Sequence, residues 1–219
     1  MPRLTESWGA VEMTHTVKKV LALLFFIFLI SFNQHLPYEQ QNKAIDSIGA
    51  SLFSLYFFVF NQTLGIVHEG GHGICYVLHA PRFITILNGT LFQLMFPLGI
   101  AYYYRKRGND FASYMAMFFV GFSLLYTAWY ISTSGQGAMV SAQNSFLGVD
   151  GYHDFHYILS SMGLLTYYKG IAWAVKIISY ILMILSVGFM LFDAFIKSTT
   201  PKLTKIQRLR ARKRSKYRF

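Results

Sequence analysis

The sequence predicts an all-α fold, a polytopic transmembrane helical bundle of about six spans. Three observations carry this. Hydrophobic residues make up 54% of the 219 residues and charged residues only 13%, against roughly 25% charged in an average soluble domain. The apolar residues fall in long runs, several of them near the roughly 20 residues that cross a hydrocarbon core. With 21 Phe and 15 Tyr, the chain holds more apolar surface than a soluble protein of this size can bury.

The elements follow in order. A polar stretch ends at Lys18-Lys19, and the first apolar run covers Val20 to Phe32. Ser31-Phe32-Asn33-Gln34-His35 lacks the small-x-small pattern of a signal-peptide cleavage site, so a retained first helix is expected. A second run extends from about Ile48 to Leu78, roughly 46 Å at 1.5 Å per residue against a core of about 30 Å. It must tilt, protrude or break near Asn61-Gln62, and Pro81 ends it. The third span, Phe83 to Tyr104, is expected to be interrupted at Asn88-Gly89 and Pro97, and Arg105-Lys106-Arg107 follows it. The fourth is Phe111 to Ile131. Ser132 to Ser145 reads as a loop, Asp150 to Tyr168 as a shorter fifth element, and Ile171 to Ile196 as the last span. A single membrane domain therefore covers residues 1–200, with a basic tail at 201–219.

The net charge is +11, and nine of the Lys and Arg residues lie between Pro201 and Phe219, where there is no acid. A basic segment directly after an apolar span points to anionic lipid headgroups on the cytoplasmic side, not to nucleic acid. Lys18-Lys19 and the tail together place both termini in the cytoplasm. Six crossings satisfy both, but they leave Arg105-Lys106-Arg107 outside. The alternative is four spans with the third and fifth elements re-entrant, since irregular backbone is tolerated where it lines a cavity. Cys75 is the one cysteine; it excludes an internal disulfide framework and reads as a packing residue.

The chemistry is concentrated in His68-Glu69-Gly70-Gly71-His72, deep in the second run. An ionisable side chain at membrane depth costs at least about 2.5 kcal/mol on insertion scales, so it needs a partner or a task. His68 and His72, four apart on a helix, share one face and can bind a single Zn²⁺. Glu69, next to the first ligand, is placed to act as general base on water activated by the metal. Gly70, Gly71 and Gly73 weaken the helix by roughly 1 kcal/mol each; their expected role is to let a neighbouring helix or a substrate strand come close.

A catalytic zinc needs a third protein ligand and an open position. The other polar cluster is Asp150-Gly151-Tyr152-His153-Asp154-Phe155-His156. Asp154 is the first choice as ligand and His153 the second, with Asp150 and His156 open; one of these is expected only to cap the fifth helix. In the six-span topology both clusters lie toward the cytoplasmic side. Gln93 either bonds another helix or lines the substrate cleft.

Val67-His68-Glu69-Gly70-Gly71-His72-Gly73 within a membrane helix resembles the site-2 protease family of intramembrane zinc metalloproteases. Val149-Asp150-Gly151, with Asn144 upstream, is similar to the family's later Leu-Asp-Gly segment but lacks its proline. Small bacterial members resemble the chain more closely, at Asn88-Gly89-Thr90-Leu91-Phe92-Gln93-Leu94-Met95-Phe96-Pro97 and at His153-Asp154-Phe155. The resemblance covers about Val59 to Leu165 and favours Asp154 as the third ligand, with His153 beside it. It implies a multi-pass protein of a bacterial inner membrane that hydrolyses peptide bonds of membrane-associated protein substrates. Substrate would pass between the second and third elements near Asn88 and Gln93. A regulatory membrane partner is expected. The alternatives are a membrane metalloenzyme of another class and a non-catalytic subunit stabilised by a metal.

Overall fold

The computed structural model describes residues 13–31, 48–137 and 152–197, with the side chains of the second stretch described from residue 63. Its regular elements are all helical: α1 (His15–Ser31), α2 (Ile48–Val77), α3 (Arg82–Lys106), α4 (Asp110–Thr133), α5 (Asp154–Ser161) and α6 (Tyr168–Phe195), with 3₁₀ turns at Ser134–Gln136 and Leu165–Tyr167. Among the described residues, three stretches are long and apolar enough to cross a membrane: Arg82–Lys106, Asp110–Gln136 and Leu165–Phe195.

Three helix ends share one device. At the end of α2, His79 N–H bonds Tyr76 C=O and Ala80 N–H bonds Cys75 C=O, the pairing of a Schellman motif. The same pairing recurs after α3, around Gly108, and after α5, around Gly163. The pivot has φ of 73° at Gly108, 70° at Gly163 and 52° at His79. Glycine adopts this region freely, whereas histidine does so at a cost. The tight turn at His79, followed by Pro81, folds α3 back against α2.

α4 is the central helix, buried along most of its length. Phe111, Phe118, Phe122 and Leu125 pack against Met183, Val187, Met190 and Ala194 of α6 and Ala22 of α1. A second apolar cluster, Tyr126, Tyr130, Ile131, Phe155, Ile158, Leu159 and Ala172, joins α4, α5 and α6 below the histidines. In contrast, Ile178, Ile181, Ile184, Leu185, Phe189 and Phe192 of α6 are exposed. A contiguous apolar face of this kind suits contact with lipid tails.

One end of the bundle is tied by charge. Lys18 of α1 bonds Asp193 of α6 at 2.7 Å. Lys197 bonds Asp110 at 2.6 Å and lies 3.5 Å from Asp193. Arg105 bonds Asp110 at 2.7 Å. The hydrogen bond to Asp110 raises Lys197 above the ordinary lysine range. The start of α1, the α3–α4 turn and the end of α6 therefore lie at the same end.

Three expectations change, and for α2 the break among the open options is excluded. α3 is one uninterrupted helix through Asn88-Gly89 and Pro97, so it is not re-entrant. α2 runs unbroken through Asn61-Gln62. The fifth element is an eight-residue helix, about 12 Å at 1.5 Å per residue, too short to cross. Arg105-Lys106-Arg107 lies at the Lys18 end, because Asp110 and Asp193 draw these basic residues together. Asn144, Asp150 and the tail at 201–219 lie outside the described residues.

Candidate metal centre

His68 and His72 sit in the last third of α2, facing the first half of α3. Close approach is possible because of Gly71. A Cβ there would lie 2.5 Å from the Asn88 carbonyl oxygen and 2.7 Å from Phe92 Cβ. The Asn88 amide donates to the Gly71 carbonyl at 2.7 Å, a side-chain bond that pins the two helices together. Among the described residues nothing lies within 4 Å of a Cβ at Gly70 or Gly73, so the helix packing seen there is through Gly71.

The imidazoles are oriented through their Nδ1 atoms. His72 Nδ1 is 2.8 Å from the Thr85 carbonyl. A carbonyl only accepts, so Nδ1 carries the proton and Nε2 presents its lone pair. His68 Nδ1 is 3.1 Å from Gln93 Oε1, and the Gln93 amide nitrogen donates to Ser123 Oγ at 2.9 Å. His68 therefore also holds its proton on Nδ1. The two lone pairs converge, with the Nε2 atoms 3.1 Å apart.

Asp154 completes the group. Its Oδ2 lies 2.8 Å from His68 Nε2 and 3.3 Å from His72 Nε2. These three residues, which can hold a metal ion, have their ligand atoms within 4.8 Å of one another. Two lone pairs and a carboxylate oxygen facing each other in a buried site repel unless a cation lies among them. A single proton would also relieve the repulsion: on His72 Nε2 it would make one imidazolium that donates to Asp154.

Asp154 is delivered by the first turn of α5. His153, 3% exposed, caps that helix: its Nδ1 accepts from His156 N–H at 3.3 Å. Its Nε2 is 2.9 Å from Thr133 Oγ1, which itself donates to the Tyr130 carbonyl. His153 Nε2–H is therefore the donor. Burial pushes the His153 imidazole down to about 4, in keeping with this neutral form. His156 Nδ1 donates to the Ser134 carbonyl at 2.8 Å. The Arg82 guanidinium lies over the Tyr157 ring at 4.7 Å and the Tyr152 ring at 5.6 Å. α5 is thus held from both sides.

The expected residues separate accordingly. His68, His72 and Asp154 come together. His153 does not join them, because both its nitrogens are engaged in holding α5. Gln93, 1% exposed, orients His68 and does not line a cleft. Asn88 closes the α2–α3 contact, so the expected path between these helices is shut at that level. Glu69 is half-buried on α2 and close enough to His72 and Tyr130 to act on both electrostatically. Among the described residues it makes no hydrogen bond or ion pair.

Sequence reasoning missed Gly89, Thr85, Ser123 and Tyr130. Gly89 faces the ligand atoms directly: a Cβ there would sit 2.5 Å from His72 Nε2 and 2.8 Å from His68 Nε2. The site also lies toward the end of the bundle away from Lys18 and Lys197. It meets α3 at Thr85 to Gln93, whereas the basic cluster begins at Arg105, about 18 Å beyond Gln93 at 1.5 Å per residue. α2 runs antiparallel to α3, which reverses the expected position of the site on the basic side. No protein-family model matches the chain, and no curated protein or solved structure does either.

Proposed function

We propose that the protein is an integral-membrane zinc peptidase of the site-2 protease kind, hydrolysing peptide bonds of membrane-embedded protein substrates. The observation that carries this reading is the convergence of His68 Nε2, His72 Nε2 and Asp154 Oδ2 at separations of 2.8 to 3.3 Å, with Glu69 beside them. Two imidazoles and one carboxylate suit Zn²⁺, and bonds of about 2.0–2.1 Å give tetrahedral edges of about 3.3 Å. The Nδ1 bonds to Thr85 and Gln93 are the supporting contacts that ligating histidines characteristically make.

A bound zinc ion supplies Lewis acidity for water and for the scissile carbonyl. The chain supplies the rest. Glu69 removes a proton from the attacking water and passes it to the leaving amine. Thr85 and Gln93 fix the imidazole orientations, and α5 fixes the carboxylate. Substrate reaches the metal on the Glu69 side of α2, because Gly71 packs against Asn88 and Phe92 of α3 on the other. The substrate helix must unwind locally, because its carbonyls are otherwise hydrogen-bonded internally.

The cell membrane is the setting, with α3, α4 and α6 among the crossings and lipid, substrate and a regulatory membrane protein as partners. The basic end faces the cytoplasm by the positive-inside rule, so the metal centre lies toward the opposite side.

The test is cleavage of a membrane-spanning test substrate by detergent-purified, zinc-loaded protein. Glu69→Gln is expected to keep the metal and to lose turnover by about 10²-fold or more. Unchanged turnover in that variant contradicts the mechanism.

A further inference from the structure

We propose that the Tyr130 hydroxyl is a catalytic residue, donating a hydrogen bond to the substrate's carbonyl oxygen as that oxygen gains negative charge. The proposal rests on the peptidase reading above. Tyr130 keeps its own proton throughout, and its role is to stabilise the charge.

Position comes first. The Tyr130 oxygen accepts from the backbone N–H of Asp154 at 3.3 Å, so the phenol ends against the residue that supplies the third ligand. The carboxylates of Asp154 and Glu69 both act on it electrostatically. The hydroxyl thus lies within the field of the base and of the carboxylate ligand.

The proton is available. Asp154 N–H uses a lone pair of the phenol oxygen, not its hydrogen. Among the described residues, no acceptor takes the Tyr130 O–H. Neighbouring donors are already committed. The Gln93 amide donates to Ser123, the Asn88 amide to Gly71, Thr133 Oγ1 to the Tyr130 carbonyl, and His153 Nε2–H to Thr133.

The hydroxyl is also held still. The Tyr130 ring stacks on His153, with centroids 4.2 Å apart and planes at 16°, and meets the edges of Phe155 at 5.7 Å and His68 at 6.4 Å. A donor fixed before the reaction stabilises developing charge without reorganising, which is the condition for effective oxyanion stabilisation. The packing of α4 against α5 is what brings Tyr130 to Asp154.

The experiment compares zinc-loaded wild type and Tyr130→Phe in detergent, using a fluorogenic apolar peptide and a phosphinic peptide of the same sequence. The expected result is full zinc content in both proteins. In the variant, kcat falls about 10²-fold at near-constant KM, and phosphinic peptide affinity falls by a similar factor. Wild-type kcat with wild-type phosphinic affinity overturns the proposal. Loss of zinc in the variant also overturns it, since Tyr130 would then act by holding Asp154. Wild-type protein that binds zinc but cleaves nothing defeats the peptidase reading instead. Phosphinic peptide binding still tests Tyr130 in that case, and equal affinity overturns its role.

Discussion

His68 Nε2 and His72 Nε2 lie 3.1 Å apart, each with the opposite ring nitrogen bonded to a fixed oxygen on α3. This relationship connects the sequence to the chemistry. The four-residue spacing puts the rings on one face of α2, and the α3 partners turn both lone pairs to one point. Without Thr85 and Gln93, the rings could rotate about their side-chain bonds.

Gly89→Ala is expected to weaken metal binding without removing a ligand. Its Cβ would approach to 2.5 Å of His72 Nε2 and 2.8 Å of His68 Nε2. The rings cannot retreat without breaking the bonds to Thr85 and Gln93. Zinc titration of the purified variant checks this, with an affinity at least about 10-fold lower expected.

Gln93→Leu should lower zinc affinity by about 10- to 100-fold, the usual effect of losing a contact that orients a ligand. The variant stays folded, because leucine fills most of the same volume. Competition with a calibrated chelator measures the change. Unaltered affinity would mean that His68 needs no help from α3.

Gly70→Ala and Gly71→Ala should move stability in opposite directions. At Gly70 a Cβ enters open space, and alanine is better than glycine in a helix by about 0.5–1 kcal/mol. At Gly71 it meets the Asn88 carbonyl oxygen at 2.5 Å, and overpacking of this kind costs about 1–3 kcal/mol. Thermal unfolding of both variants in one detergent distinguishes them.

Much of this architecture was legible before the structure. The apolar runs locate α1, α3, α4 and α6 to within a few residues, because a lipid-facing helix advertises itself by composition. The pairing of His68 with His72 was legible because four-residue spacing on a helix is local geometry. The role of His153 was not, since a neutral histidine that caps a helix and one that ligates a metal look alike in sequence. Neither was the continuity of α3, where packing keeps helical a segment that Asn88-Gly89 and Pro97 locally disfavour. The position of Arg105 beside Lys18 depends on ion pairs between residues 5 to 175 apart in sequence, which no local pattern encodes. Gly89 and Tyr130 act through α2–α3 and α4–α5 contacts, and a single sequence carries no sign of either.

The most direct test is the metal content of freshly purified protein. Wild type is measured beside His68→Ala, Asp154→Ala and His153→Ala. The account predicts one zinc per chain in wild type and in His153→Ala, which keeps all three ligands although the loss of a buried ring, its cap and its bond to Thr133 costs about 3 kcal/mol of stability. It predicts none in His68→Ala or Asp154→Ala. Folded wild-type protein without stoichiometric metal, or zinc retained in Asp154→Ala and lost in His153→Ala, would contradict it.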